Sequence, residues 1–127
     1  MYDRCLLPGQ QVEMALAQVK DAIGDIAPCT VEVERGAFMY PGEVEEKCSL
    51  IDNIKNGFSR AGLEVPGIFY SHGCLDAGYL LHKGCEATMW GPGQMNLWHS
   101  DNEFLLVEDL IKGADAYFGF IESYLME

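Results

Sequence analysis

The sequence predicts an α/β fold made of two sheet fragments with helices packed against them. Four segments repeat apolar residues at the spacing of an amphipathic helix, and four short runs show the alternation or the apolar continuity of β-strands. The two kinds of segment follow one another in the order β-α-β and then α-β-α-β-α, which is typical of α/β proteins. Each of the first three predicted helices is followed closely by a glycine, a common helix terminator.

Residues 1–38 are predicted to form a strand–helix–strand unit. The first strand covers 1–7, the helix covers 11–23 and ends at Gly24, and the second strand covers 30–38. In the second strand valine and glutamate alternate, which indicates one buried and one solvated face. A unit of two strands and one helix cannot by itself bury the apolar surface of its sheet.

The rest of the chain alternates helices with short strands. Helices are predicted at 49–61, 76–83 and 108–125, and strands at 67–71 and 85–90. The last helix has the longest amphipathic pattern in the chain. Its apolar residues share one broad face: Leu110, Ile111, Ala114, Tyr117, Phe118, Ile121 and Leu125.

Charge and composition exclude several classes of partner. The chain has 127 residues, enough for one domain with a core, and a formal net charge of −12. Nucleic acid and anionic membranes do not attract an acidic surface, so we expect neither as a partner. No apolar run approaches the ~20 residues of a membrane span. The five cysteines form no C-x-x-C pair and follow no signal peptide, which predicts reduced, mostly buried thiols in a cytoplasmic protein.

The stretch after the strand at 85–90 is the strongest candidate for a functional site. Gly91-Pro92-Gly93 ends the strand, and a run of polar side chains follows from His99 to Glu103. His99 is the first candidate, as a metal ligand or as a surface or hydrogen-bonded histidine. Glu103 either orients the imidazole of His99 without binding the metal itself, or begins the next secondary-structure element. The glycines Gly91 and Gly93 either offer backbone N–H groups to a carboxylate or oxyanion, or serve as turn residues.

Three other positions have a functional and a structural interpretation. Asp76 either caps the helix at 76–83 or orients a ligand. Arg35 either clamps a carboxylate bidentately or lies at the surface. His72 is interpreted as a structural hydrogen-bonding residue, and Cys74 is rejected as a nucleophile because no base partner accompanies it.

Four stretches together resemble one family. They are Asp-Arg-Cys-Leu-Leu-Pro-Gly at 3–9, Leu-Asp-Ala-Gly-Tyr at 75–79, Gly-Pro-Gly at 91–93, and His-Ser-Asp-Asn-Glu-Phe at 99–104 before the long helix. In this order and spacing they resemble the M20-type zinc metallopeptidases and aminoacylases. That family includes acetylornithine deacetylase, succinyl-diaminopimelate desuccinylase and carboxypeptidase G2-like enzymes.

The resemblance implies roles for individual residues and a division into two domains. His99 corresponds to the family's last zinc ligand, Asp76 to its Asp-Ala turn near the site, and Arg4 to a strand of its lid. Residues 1–40 would be the second half of the lid, or dimerisation, domain. Residues 41–127 would be the C-terminal part of the catalytic α/β domain.

The implied function is that of part of a zinc-dependent amidohydrolase. Family members use one or two zinc ions to hydrolyse an N-acyl amino acid or peptide. The segment with the other metal ligands and the catalytic glutamate pair has no counterpart here, so we expect the chain alone to bind zinc weakly and to be inactive. The alternative is a non-catalytic remnant that self-associates or binds a carboxylate.

The resemblance also predicts a homo-oligomer. Without the rest of the family sheet, the strands of residues 1–38 would have exposed edges, and the apolar helix faces at 50–61 and 110–125 would lack cover. We therefore expect a dimer, most simply through paired edge strands of the lid unit.

Overall fold

A computed structural model describes residues 4–71, 73 and 75–126 of the chain. Four α-helices and one short 3₁₀ helix make up its regular structure: α1 Val12–Ile23, α2 Ser49–Arg60, α3 Ala77–His82, the 3₁₀ turn Met95–Leu97, and α4 Val107–Leu125. Among the helices described, none is both long enough and apolar enough to cross a membrane.

The predicted α/β fold with two sheet fragments is wrong for the described residues, which form helices and irregular segments but no sheet. The predicted strands at 30–38, 67–71 and 85–90 have no regular secondary structure, and neither do residues 4–7 of the first one. A strand is held by hydrogen bonds to a neighbouring strand, so a strand-like pattern without a partner lacks its main stabilisation. Residues 4–7 and 30–38 therefore offer no strand edges of the kind expected to pair two chains, and the dimer itself stays a prediction.

The helices are confirmed to within one or two residues of their predicted ends. The glycines predicted to stop the first three all adopt positive φ, namely Gly24 at 64°, Gly62 at 67° and Gly84 at 80°. The backbone N–H of Gly24 also bonds to the carbonyl of Lys20 at the end of α1. Local pattern was sufficient here because helix hydrogen bonds are made within the segment itself.

The chain divides into two compact units. The first comprises Met1–Val44 and Ser71–Ala87, and the second comprises Glu45–Tyr70 and Thr88–Glu127. The first unit thus contains α1 and α3, and the second contains α2 and α4. The domain division that the resemblance implied, between residues 40 and 41, stays a prediction.

An aromatic cluster joins α3 to the segment 38–42 in the first unit. The Tyr40 ring stacks on the His82 imidazole at 3.7 Å between centroids, and Phe38 and Tyr79 meet it edge-on at 5.0 and 5.5 Å. The Tyr79 hydroxyl donates to the Phe38 carbonyl at 2.9 Å. Gly78 lies directly against the Tyr40 carbonyl, where a side chain would not fit.

The core of the second unit is a close contact between α2 and α4. Three small residues of α4, which we call its inner face, are buried there: Ala116, Gly119 and Ser123. A Cβ on Gly119 would lie 2.6 Å from the Gly57 carbonyl oxygen, so the two helix backbones nearly touch. The hydroxyl of Ser123 donates to Oδ1 of the fully buried Asn53 at 2.7 Å.

The two apolar helix faces have different outcomes. On α2 the predicted face is covered, since Ile51 and Ile54 are buried. On α4 every residue of the predicted face is exposed, as expected for an uncovered stripe. Five of these residues and Val107 recur at alternating spacings of four and three, and we call these six positions the outer seam: Val107, Ile111, Ala114, Phe118, Ile121 and Leu125.

The cysteine prediction is correct in one respect and wrong in another. Cys5, Cys29, Cys48 and Cys85 are free thiols, as expected. Cys48 is partly exposed and the other three are exposed, so the prediction that most are buried is wrong. Cys5 and Cys85 lie in segments that were predicted as strands and that have no regular secondary structure, so no sheet covers them among the described residues.

Candidate functional site

The loop between Trp90 and α4 is fixed at its beginning by two contacts with α4. The indole of Trp90 stacks on the Tyr117 ring at 3.9 Å between centroids, and the Tyr117 hydroxyl donates to the Trp90 carbonyl at 2.7 Å. Two residues later Pro92 rests on Gly113, where a Cβ would lie 2.7 Å from the proline Cγ. A side chain at position 113 would therefore displace the start of the loop.

Local hydrogen bonds order the middle of the loop. The 3₁₀ turn Met95–Leu97 is followed by Ser100, whose backbone N–H and hydroxyl both donate to the Leu97 carbonyl, at 3.0 and 2.7 Å. The N–H of Glu103 in turn donates to the Ser100 carbonyl at 3.2 Å. Successive turns of this kind place residues 99–103 in a compact bend.

His99 has an unusual backbone conformation. Its φ is 60°, and among the described residues it is the one non-glycine residue with a positive φ. The left-handed region costs an L-residue roughly 1–2 kcal/mol, although histidine is one of the residue types found there more often. The backbone N–H of His99 donates to Oε2 of Glu103 at 3.0 Å, and this bond holds the bend closed.

The Glu103 side chain has a defined contact in the loop. Its carboxylate accepts the backbone N–H of His99, so it orients the histidine through the main chain. The next helix, α4, begins at Val107, four residues after Glu103. The imidazole of His99 is exposed at the protein surface.

The described part of the chain offers no complete metal site. In that part, no three side chains among His, Cys, Asp and Glu lie close enough together to hold a metal ion. Asp101, two residues from His99, is exposed on the same bend. Zinc sites in proteins use three or four protein ligands, so the donors described here do not form one by themselves.

Gly91 and Gly93 lie in the same compact unit as His99 and Glu103. Gly93 has a φ of 136°, a conformation that favours glycine, and this supports its interpretation as a turn residue. A Cβ on Gly91 would lie 3.6 Å from the Tyr117 hydroxyl, which is ordinary contact. The structure thus places these glycines at the anchored start of the loop.

The other three candidates lie in the first unit and have local structural contacts. The guanidinium of Arg4 donates to the Ala15 carbonyl at 3.4 Å and to Gln18 Oε1, so it packs along α1. The guanidinium of Arg35 lies 4.9 Å from the centre of the Phe38 ring. Asp76 immediately precedes α3, but its side chain makes no capping hydrogen bond. The predictions for His72 and Cys74 lie outside the described residues.

A shallow groove of about 500 Å³ lies beside the end of α1 in the first unit. Its lining is mixed in polarity and contains none of the predicted site residues: Lys20, Ile23, Gly24, Ile26, Val31, Glu32 and Val33. We assign it no ligand because it is open and its only charged side chains, Lys20 and Glu32, are exposed.

Sequence reasoning missed what holds the candidate loop in place. The two anchors, Trp90 on Tyr117 and Pro92 on Gly113, involve residues that had been interpreted as strand, turn and helix-face positions. Gly113 was detectable in principle, since it begins a series of small residues at helical spacing that continues with Ala116 and Gly119. Nothing in the local pattern of Trp90 indicates its partner.

Comparison with known proteins gives one match. The model of peptidase family M20/M25/M40 matches residues 7–123, nearly the whole chain. Searches of curated proteins and of solved structures gave no match. The matched range covers most of both compact units and all of the loop that contains His99.

Proposed function

The chain belongs to peptidase family M20/M25/M40, a family of hydrolases that are generally metal-dependent, and from this premise we propose that it is part of a zinc-dependent amidohydrolase. The proposed substrates are N-acyl amino acids or dipeptides, in which one amide bond is cleaved. The family match supports the reaction class, and the resemblance of the loop at 99–104 supports the specific role of His99.

The bend at His99 is the observation that carries this proposal. A strained backbone that the surrounding structure holds in place is a common feature of functional sites. Here the carboxylate of Glu103 stabilises the strained conformation of His99 and leaves the imidazole exposed. We propose that this arrangement presents the imidazole as one metal ligand, with Glu103 as its positioning residue.

We further propose that the chain by itself is not a competent hydrolase. Metal affinity requires several deprotonated ligands in fixed geometry, and a single imidazole does not provide them. The other ligands would have to come from another polypeptide segment. A cytoplasmic location is proposed on the basis of the exposed free thiols Cys5, Cys29 and Cys85, which persist in reducing compartments.

Calorimetric titration with zinc tests the role of His99. The unmodified chain should bind zinc weakly, and His99→Asn should abolish that binding. Asparagine is suitable because it tolerates positive φ, so the bend keeps its conformation while the imidazole is removed. The matched control is His82→Asn, which removes an exposed imidazole from the first unit and should leave zinc binding unchanged. A tight stoichiometric site that survives His99→Asn would show that the assignment is wrong.

An activity assay tests the proposed incompleteness separately. We expect no release of amino acid from N-acetyl amino acids above background, with or without added zinc or cobalt. Turnover that disappears in His99→Asn but persists in His82→Asn would support the reaction class and contradict the proposed inactivity. Far-UV circular dichroism of each variant establishes that the helices are intact.

A further inference from the structure

The loop that carries His99 is attached to α4 at both ends. Its start rests on Gly113 through Pro92, and its end enters α4 at Val107. Gly113 lies six residues after Val107, which corresponds to about 9 Å along the helix axis. Residues 93–106 therefore form a surface loop whose ends lie close together on one helix, a type of loop that often carries function.

The helix that holds this loop is itself fixed in place. The backbone of α4 lies against that of α2, since a Cβ on Gly119 would meet the Gly57 carbonyl oxygen at 2.6 Å. Two helix backbones in such close contact cannot shift against each other without a clash. Whatever ties the loop to α4 therefore also ties it to the core of the second unit.

The body of the loop, residues 95–103, is hydrogen-bonded to itself. Both donors of Ser100 bond to the Leu97 carbonyl, at 3.0 and 2.7 Å. The carboxylate of Glu103 then accepts the backbone N–H of His99 at 3.0 Å. Local contacts thus give the body its internal shape, whereas its position relative to α4 depends on how the start of the loop is held.

Gly91 lies between the two contacts that hold the start. Before it, the Tyr117 hydroxyl donates to the Trp90 carbonyl at 2.7 Å and so fixes the orientation of that peptide plane. After it, Pro92 rests on Gly113. Glycine rotates more freely than any other residue, so this position would be a hinge if the contacts were removed.

A small rotation at this hinge would move the loop body a long way. By simple lever geometry, a rotation of about 10° displaces an atom about 10 Å away by about 2 Å, whereas a functional group has to be held within about 0.5 Å. The stacking of Trp90 on Tyr117 does not give this precision, because stacked rings tolerate a range of offsets. The hydrogen bond does, because it is directional.

We propose that Tyr117 is a positioning residue for His99: its hydroxyl fixes the start of the loop on α4 and thereby sets where the imidazole lies. This inference rests on the proposed function, in which that imidazole is one metal ligand. Tyr117 is 41% exposed, so its ring is not part of the core. Its hydroxyl should therefore act mainly on the position of the loop and little on the packing of α4.

Residual dipolar couplings of the backbone amides, measured by NMR on the whole chain without metal, test the proposal. In the unmodified chain the couplings of residues 95–103 and of α4 should fit one common alignment. In Tyr117→Phe we expect the couplings of 95–103 to shrink at least roughly twofold, as for a segment that reorients as a unit, while those of α4 stay unchanged. The matched control is Tyr124→Phe, also on α4, which should change neither set.

A stiffer hinge gives a second test. Gly91→Ala, added to Tyr117→Phe, should restore most of the lost coupling, because alanine rotates less freely and its Cβ has room 3.6 Å from the position of the hydroxyl oxygen. If no recovery is seen, the freed rotation lies elsewhere and the proposed hinge is wrong.

Three other results would overturn the proposal. They are unchanged loop couplings in Tyr117→Phe, an equal reduction along α4, and a loop that does not share the alignment of α4 in the unmodified chain. Because the measurement uses no metal, its outcome is independent of the zinc titration that tests the proposed function.

Discussion

The two sides of α4 differ in a way that hydrophobicity does not explain. The inner face, Ala116, Gly119 and Ser123, consists of small or polar residues and is buried against α2. The outer seam contains most of the large apolar residues of the helix and is exposed to solvent. If side-chain hydrophobicity alone decided which side of α4 is buried, the outer seam would be buried and the inner face would be exposed. Close approach of the backbones decided the packing instead, because Gly57 of α2 and Gly119 of α4 lack side chains that would separate them.

Close packing also explains how the inner face accommodates a buried polar pair. Asn53 is fully buried, and its Oδ1 accepts the Ser123 hydroxyl. Its Nδ2 has no hydrogen-bond partner among the described residues. A buried amide of this kind costs free energy, so the van der Waals contacts between the helices have to offset it. The inner face is therefore the part of the chain most sensitive to small changes.

The largest effect is expected when one methyl group is added to the inner contact. In Gly57→Ala the new Cβ would lie 2.6 Å from the Phe120 nitrogen and 2.8 Å from the Ala116 carbonyl oxygen. Backbone atoms cannot rotate away, so we expect the free energy of unfolding to fall by about 3 kcal/mol, despite a gain of about 1 kcal/mol in helix propensity. Urea denaturation measures this. Asn56→Ala, on the exposed side of α2, is the control and should not destabilise; equal stability of both variants would show that the contact is not close.

A somewhat smaller effect is expected from the buried polar pair. Ser123→Ala leaves both polar atoms of the Asn53 side chain unpaired, so we expect a loss of about 1–3 kcal/mol in the free energy of unfolding. Adding Asn53→Leu should recover most of this loss, because removing both partners also removes the unpaired groups. If the double variant is less stable than Ser123→Ala, the hydrogen bond is not the source of the effect. Chemical denaturation of the three proteins gives the comparison.

Tyr117 lies at the border between the two sides and should show an intermediate effect. Tyr117→Phe keeps the ring that stacks on Trp90 and removes the hydrogen bond to the Trp90 carbonyl. We expect a loss of about 1 kcal/mol in the free energy of unfolding and a change in tryptophan emission as the loop start loosens. Tyr124→Phe is the control on the same helix. If it lowers the free energy of unfolding as much as Tyr117→Phe does, the hydrogen bond from Tyr117 to Trp90 is not a specific anchor of the loop.

The smallest effect on the single chain is expected from the largest truncation. Phe118→Ala removes a whole ring from the outer seam, yet that ring is 64% exposed. At concentrations where the chain is monomeric, we expect the free energy of unfolding to change by no more than about 0.5 kcal/mol. Thermal unfolding at low micromolar concentration checks this. A loss comparable to that of Gly57→Ala would mean that the outer seam is part of the core of the single chain.

The residues of the candidate site were predicted from the sequence, whereas their geometry is known only from the structure. His99 and Glu103 were identified from their types and spacing, and the structure joins them by a hydrogen bond. That the bond reaches the backbone N–H, and that His99 adopts a φ of 60°, depends on turns formed by neighbouring residues. Asp76, Arg4 and Arg35 belong to the other compact unit. There Arg4 donates a hydrogen bond to α1, Arg35 lies over the Phe38 ring, and Asp76 immediately precedes α3.

The sequence by itself determined where the helices lie and where they end. Their hydrogen bonds are local, their periodicity is visible in the chain, and glycines with positive φ mark three of their ends. Tertiary structure decided the rest. The strand-like segments stayed irregular because a strand depends on a partner that is distant in the chain. The buried side of α4 was chosen by the fit between two helix backbones, a property of the pair that neither helix carries alone.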